Sequence, residues 1–155
     1  MMFLSRKSLL ALEAVIDVAI HARPDPVQAR EITKRQGVPL RYLEQVMQAL
    51  VRANILRGVR GPRGGYRLAR ERRRITVHDI ISVIEAFEAL DAPDNNAPSQ
   101  SPISQQVIEP LRQRLQAVIE KETATMTIAD LCATAEAAMA EDKDQPKNKN
   151  TDFTI

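Results

Sequence analysis

Residues 55–69 read Ile55-Leu56-Arg57-Gly58-Val59-Arg60-Gly61-Pro62-Arg63-Gly64-Gly65-Tyr66-Arg67-Leu68-Ala69. Both ends alternate apolar and polar residues, as strands do, and the middle is a Gly- and Pro-rich turn. The stretch predicts a β-hairpin whose tip carries Arg60 and Arg63 beside three glycines. Glycine lets a backbone approach another surface closely, and Arg favours the negative potential of a narrow minor groove. A plain surface hairpin gives no reason for Arg57, Arg60, Arg63, Arg67 and Arg70 to gather there.

The segment before the hairpin gives it a context. Leu40, Leu43, Met47 and Leu50 recur at helical spacing and predict a buried stripe on a helix from Leu40 to Ala53. Arg41, Gln45, Gln48 and Arg52 form the opposite, polar stripe. Val27 to Gln36 predicts a short helix, with Ala29 and Ile32 inward, and Gly37-Val38-Pro39 a tight break between the two. Two short helices joined at a glycine, the second with a polar outer face, make a helix-turn-helix. A polar face alone is common to surface helices; the basic hairpin that follows turns the pattern into a winged helix. Further upstream, Arg6 to His21 predicts a helix with Leu9, Leu12, Ile16 and Ile20 on its inner face, ended by Pro24-Asp25-Pro26. Its start resembles a signal peptide, but Glu13 and Asp17 interrupt the apolar run, and no stretch suits a membrane span.

Downstream, Thr76-Val77-His78-Asp79 reads as a capping box opening a helix with Val77, Ile80, Ile84 and Phe87 inward. Residues 88–103 predict a loop rich in Pro, Asp, Asn and Ser. A long helix follows from Ser104 to Thr123, with Ile108, Leu111, Leu115 and Val118 as a near-heptad stripe suited to pairing with a second copy. Pro110 sits near its start, where proline is tolerated. Thr127-Ile128-Ala129-Asp130 is a second capping box, opening a helix to Ala140, and residues 141–155 predict a disordered tail. The expected organisation is a winged helix-turn-helix over 1–87, a loop over 88–103, a dimerisation helix and C-terminal helix over 104–140, and the tail. The fold class is mainly α with a small β-hairpin wing.

Charge divides along the same line. Residues 1–76 hold 16 Lys and Arg against 6 Asp and Glu, and residues 77–155 hold 6 against 14. Net charges of +10 and −8 hide behind an overall +2. A basic face suits a polyanion, although basic surfaces occur on other proteins too. The single cysteine, Cys132, excludes a disulfide within the chain and suits a reducing, cytoplasmic compartment. No nucleophile–base pair, metal-ligand cluster or phosphate loop supports an enzyme. Gly61 to Gly65 sits in a hairpin and does not open a helix, so it is no P-loop.

The runs Val38-Pro39-Leu40-Arg41-Tyr42-Leu43-Glu44-Gln45 and Gly58-Val59-Arg60-Gly61-Pro62-Arg63-Gly64-Gly65-Tyr66, with Leu4-Ser5-Arg6-Lys7 at the start, resemble the IscR/CymR/NsrR family of bacterial winged-helix regulators. The likeness covers about residues 3–139. It implies a homodimer on a near-palindromic double-stranded operator, with major-groove contacts from Arg41, Tyr42, Glu44 and Gln45. It also implies wing contacts from Arg60 and Arg63, phosphate contacts from Lys7, Arg52, Arg57 and Arg67, and a dimer interface at Ile108, Leu111, Leu115 and Val118. Ser8-Leu9-Leu10 departs from the family's frequent Gly-Arg-Tyr, which puts the first helix's phosphate contact in doubt.

Many members of that family hold an iron–sulfur cluster through three loop cysteines. Residues 88–104 contain no Cys and no His, so no metal and no cofactor is expected here. His21 and His78 sit at helix ends as surface or capping residues. Cys132, beside Leu131 and one turn from Ile128, reads as a small core residue, with a thiol sensor as the alternative. Cluster-free relatives include regulators of cysteine metabolism that partner with cysteine synthase, an enzyme that accepts C-terminal peptides ending in isoleucine. Asp152-Phe153-Thr154-Ile155 is similar to such a peptide, so Phe153 and Ile155 are candidates for a docking tail, against the alternative that the terminal residue is accidental. The competing regulatory readings are control of iron–sulfur, iron or redox genes through Cys132 or another ligand, and a protein-interaction module without DNA affinity.

Overall fold

The computed structural model describes residues 4–92, 97 and 99–144. The elements run α1 (Arg6–His21), α2 (Ala29–Gln36), α3 (Leu40–Arg52), β1 (Leu56–Val59), β2 (Gly65–Leu68), a 3₁₀ turn (Arg72–Arg74), α4 (Val77–Asp91), a π turn (Ser104–Ile108), α5 (Glu109–Thr125) and α6 (Ile128–Asp144). The fold is mainly helical with one antiparallel hairpin, as expected.

The hairpin pairs Leu56 with Leu68, Arg57 with Arg67, Gly58 with Tyr66 and Val59 with Gly65. A third short strand joins it. The Val27 N–H donates to the Tyr66 carbonyl at 3.0 Å, and the Tyr66 N–H donates to the Val27 carbonyl at 2.8 Å. Val27 therefore belongs to this small sheet, and α2 begins two residues later than its periodicity suggested. Gly65 is required at the junction, because a Cβ there would lie 2.4 Å from the Val27 carbonyl oxygen.

The core gathers around α1, which packs against α3, α4, α6 and β2. Its buried face is Leu10, Ala11, Ala14, Val15, Val18 and Ala19. This corrects the expected stripe: Leu9 is 50% exposed, and Leu12, Ile16 and Ile20 lie on the flanks of the core. A helix enclosed on several sides needs small residues where neighbouring backbones come closest, so alanines mark its inner face and large residues fill the edges. In α3 and α4 large residues do mark the inside, with Leu43, Met47, Leu50, Ile80 and Ile84 fully buried.

Both capping boxes form. The Thr76 hydroxyl accepts from the Asp79 N–H at 3.1 Å while Asp79 accepts from the Thr76 N–H at 3.0 Å. Thr127 and Asp130 do the same at 3.2 and 3.0 Å. The two helix starts lie side by side: the Val77 N–H donates to the Met126 carbonyl and the Ile128 N–H to the Ile75 carbonyl, at 2.9 and 2.8 Å. This joint ties the C-terminal helices to the winged helix.

Further boundaries shift. Helix α4 continues through Asp91, into the segment expected as loop. Helix α6 continues through Asp144, past Ala140 where the helix was expected to end. Before α5 the chain is a π turn, in which the Glu109 N–H reaches back to the Ser104 carbonyl. Pro110 supplies the reason. It has no N–H for the Gln106 carbonyl and its ring crowds that oxygen, so the turn widens.

Candidate nucleic-acid interface

The helix-turn-helix is set by two local devices. Gly37 adopts the left-handed conformation at φ 68°, where glycine carries no side-chain penalty, and its N–H closes α2 on the Thr33 carbonyl at 2.8 Å. Arg35 on α2 then grips Asp17 on α1 with two bonds of 2.7 Å. Asp17 is only 9% exposed, so the fork locks α2 against α1 with charge-assisted bonds in a partly dry setting. The same bond raises the Arg35 pKa further.

On α3 the inward face is buried through Leu43, Val46, Met47, Ala49 and Leu50. The outward face leaves Arg41, Glu44, Gln45, Gln48 and Arg52 exposed. Arg41 and Gln45 come together near the helix N-terminus, where Pro39 provides no side-chain cap and the first N–H groups keep their partial positive charge. Gln48 extends this polar face, a position the sequence marked in the stripe but did not assign to the site. Tyr42 differs from its neighbours. It is half-buried against the core, and the Lys7 ammonium lies 5.7 Å from its ring centre and 4.8 Å from that of Phe87. Lys7 is thus held between two aromatic faces that stabilise its charge. This binds α1 to α3 and α4 and leaves Lys7 less free to reach a phosphate than expected.

At the wing, Arg60 and Arg63 sit exposed at the tip, with no hydrogen-bond or ion-pair partner among the described residues. Arg57 is exposed on β1, opposite Arg67 on β2. Like charges in direct register repel, and here the pair separates: Arg67 turns to the Ala22 and Pro24 carbonyls, at the C-terminal end of α1. Both terminal nitrogens of Arg67 therefore serve the fold. Burial pushes the Tyr66 phenol pKa up, and the charge of Glu44 on α3 adds to that rise.

The α5 stripe is open. Ile108, Leu111, Leu115 and Val118 are 52%, 49%, 43% and 61% exposed, and Ile103 and Val107 continue the apolar band across the π turn. Phe153 and Ile155 lie outside the described residues. Cys132 is 0% exposed, packed with Ile128 in the core, and burial pushes its thiol pKa up. That is a poor setting for a reactive thiolate, which needs access and a lowered pKa. No helix among the described residues is long and apolar enough to cross a membrane.

With this geometry in place, the chain can be set beside known proteins. The model of the Rrf2 family, described as an iron-dependent transcriptional regulator, matches residues 4–134. The HTH-type transcriptional regulator IscR of Vibrio atlanticus (strain LGP32) is 42% identical over 91 residues, which cover 59% of this chain and 51% of that one. IscR of Xenorhabdus nematophila is also 42% identical over 91 residues, covering 59% and 54%. The chain spans about half the length of the curated relatives it matches. Among solved structures, T. potens IscR aligns with a TM-score of 0.69 at 33% identity, over 88% of this chain and 90% of that one. CymR, described as the global cysteine regulator of B. subtilis, aligns with a TM-score of 0.67 at 25% identity, over 86% and 98%.

The family description names iron, and the family resemblance read from the sequence implies that such iron would sit in a cluster. A cluster needs several thiolates, with imidazole or carboxylate as occasional replacements. This chain has one cysteine, sealed in the core, and no group of three or more His, Cys, Asp or Glu converges among the described residues. The residues present do not fit an iron–sulfur cluster.

Proposed function

The chain belongs to the Rrf2 family of transcriptional regulators, and from that premise we propose that it is a homodimeric, sequence-specific DNA-binding repressor that works without an iron–sulfur cluster, in the bacterial cytoplasm. One observation carries the DNA reading. Helix α3, with its exposed polar face, packs against β1 of a wing whose tip arginines are spent on nothing else in the described structure. Arg41, Glu44 and Gln45 offer donors and acceptors at the end of α3 that enters a major groove, with Tyr42 contributing at most its edge. Arg60 and Arg63 take the adjacent minor groove. Arg52 and Arg57 hold phosphates and fix the register. Two copies pair along Ile108, Leu111, Leu115 and Val118, which gives a binding site with two-fold symmetry. Selection of bound sequences from a randomised duplex library tests this. It should yield a near-palindrome with two half-sites; an asymmetric motif, or no enrichment, speaks against a dimeric reader.

The physiological signal is proposed to be sulfur status. The likeness to a cysteine regulator supports it, as does the similarity of Asp152-Phe153-Thr154-Ile155 to peptides that dock into cysteine synthase. Titration of cysteine synthase with the full chain should give saturable binding that is lost when Ile155 is deleted; unchanged binding without Ile155, or none with it, refutes the docking. The competing reading, control of iron–sulfur genes, is favoured by the 42% identity to IscR over 91 residues. In that reading the effector is a ligand other than a Cys132 thiolate, given the burial of Cys132.

A further inference from the structure

Away from α3 and the wing tip, a concavity of about 570 Å³ opens between the C-terminal end of α1, the wing strands, the 3₁₀ turn and the start of α6. Six arginines line it: Arg23, Arg57, Arg67, Arg70, Arg72 and Arg73, with Glu71 as the one acidic lining residue. No residue of α2, α3 or the hairpin tip contributes to its walls. Part of this crowding has a structural cause. Arg67 and Arg72 donate to the Ala22, Pro24 and Ala19 carbonyls, at the negative end of α1. Arg70 uses its Nε on the Asn54 carbonyl at 3.2 Å.

Carbonyl oxygens orient a guanidinium without neutralising it. Among the described residues, the carboxylates that reach the six are Glu71, 2.8 Å from Arg73, and Glu136, 3.4 Å from Arg72. Several cations held on one wall repel each other, a cost that Glu71 and Glu136 offset only in part. The terminal nitrogens of Arg70 and the whole guanidinium of Arg23 make no hydrogen bond among the described residues. Arg forks match phosphate oxygens in pairs, so these donors form a cradle for phosphate.

We propose that this concavity binds a small molecule carrying two or more linked phosphates. Its volume falls in the range of about 300–1,000 Å³ typical of small-molecule sites. A single phosphate group, with a charge of about −1.5 to −2, leaves most of the lining charge uncompensated, and a linked pair compensates more of it. The occupant touches α1, both wing strands and Ala129 of α6. It therefore bridges the DNA-reading half and the C-terminal helices, a suitable place for an effector. The alternative source of the same chemistry is the phosphate backbone of DNA bent around the protein.

Calorimetric titration of the full chain with inorganic pyrophosphate tests the proposal, against the variant R23Q/R73Q. Both arginines are exposed and neither is placed in the DNA interface. The wild type should bind one pyrophosphate per protomer, more tightly than orthophosphate, and the variant should bind at least about tenfold more weakly, the loss of one charge-assisted contact. The variant's affinity for a mixed-sequence DNA duplex should stay within about twofold of wild type. Equal pyrophosphate affinity in the two proteins overturns the proposal, as does the absence of saturable binding. A fall in duplex affinity without pyrophosphate binding also overturns it and assigns the arginines to the DNA backbone.

Discussion

Replacing Leu111 and Leu115 together by Asp should convert the protein from dimer to monomer while leaving each protomer folded. Both side chains are already about half in water in the single chain, at 49% and 43% exposure. Full burial of a leucine is worth roughly 1.5–3 kcal/mol, so the half that remains to be covered is worth about 1 kcal/mol per side chain. Two leucines on each of two protomers then contribute about 4 kcal/mol to association, before any cost of burying carboxylates against each other. At about 1.4 kcal/mol per tenfold, the Kd rises by about a thousandfold. The folded protomer loses much less, because Asp in place of Leu on an exposed helix face costs about half a kcal/mol per site in propensity. Light scattering after gel filtration reads the result directly. Wild type should elute at twice the 17.3 kDa chain mass and the variant at that mass, with matching far-ultraviolet circular dichroism. A variant that stays dimeric at the wild-type Kd refutes the assignment of the interface to α5. An unfolded variant would show instead that the stripe supports the protomer itself, contrary to its exposure.

Gly65→Ala places a Cβ 2.4 Å from the Val27 carbonyl oxygen, a backbone atom that cannot swing aside. The sheet must open, at a cost of about 1–3 kcal/mol, which thermal unfolding should report as a lowered Tm; an unchanged Tm means that the Val27 strand is not held as described. Glu109 is held by Arg112 and Gln113, and these bonds lower its carboxyl pKa to about 2. A depressed folded-state value means that the pair's contribution is present above the ordinary carboxylate value of 4.5 and fades as pH falls toward about 2. The carboxyl carbon resonance of Glu109 should titrate well below its ordinary range and return toward it in Arg112→Gln; an ordinary midpoint in the wild type contradicts the pairing.

The parts of the fold legible in the sequence were those with local chemical signatures. Thr76 and Asp79, like Thr127 and Asp130, are three residues apart and satisfy each other's backbone, so spacing alone marks the helix starts. The hairpin is marked by alternation and by its glycines. What stayed hidden depends on contacts distant in sequence. Val27 looks like the first residue of a helix until Tyr66, far along the chain, takes its backbone bonds. The inner face of α1 is written in alanines, which carry little hydrophobic signal although they are the closest packed. Arg57 and Arg67 are indistinguishable by type and neighbourhood, yet one is exposed on the wing and the other caps the end of α1. That Tyr42 and Phe87 flank Lys7 is likewise invisible in the sequence. The arginine-lined concavity was partly visible as a crowd of charges, but its separation from α3 is a matter of three-dimensional placement.

The central claim is that the exposed face of α3 and the wing tip bind DNA, and the most direct measurement is the affinity of the full chain for its selected duplex across a salt series. Wild type should bind with log K falling linearly against log salt, as expected when several phosphates are neutralised. Arg41→Ala should lose about 1–3 kcal/mol of discrimination between the selected and a scrambled duplex, from one base contact. Arg60→Ala should weaken binding at the hairpin's groove, with both variants retaining the wild-type Tm because neither side chain is buried. Binding that ignores salt, or variants that discriminate as well as wild type, would contradict the claim.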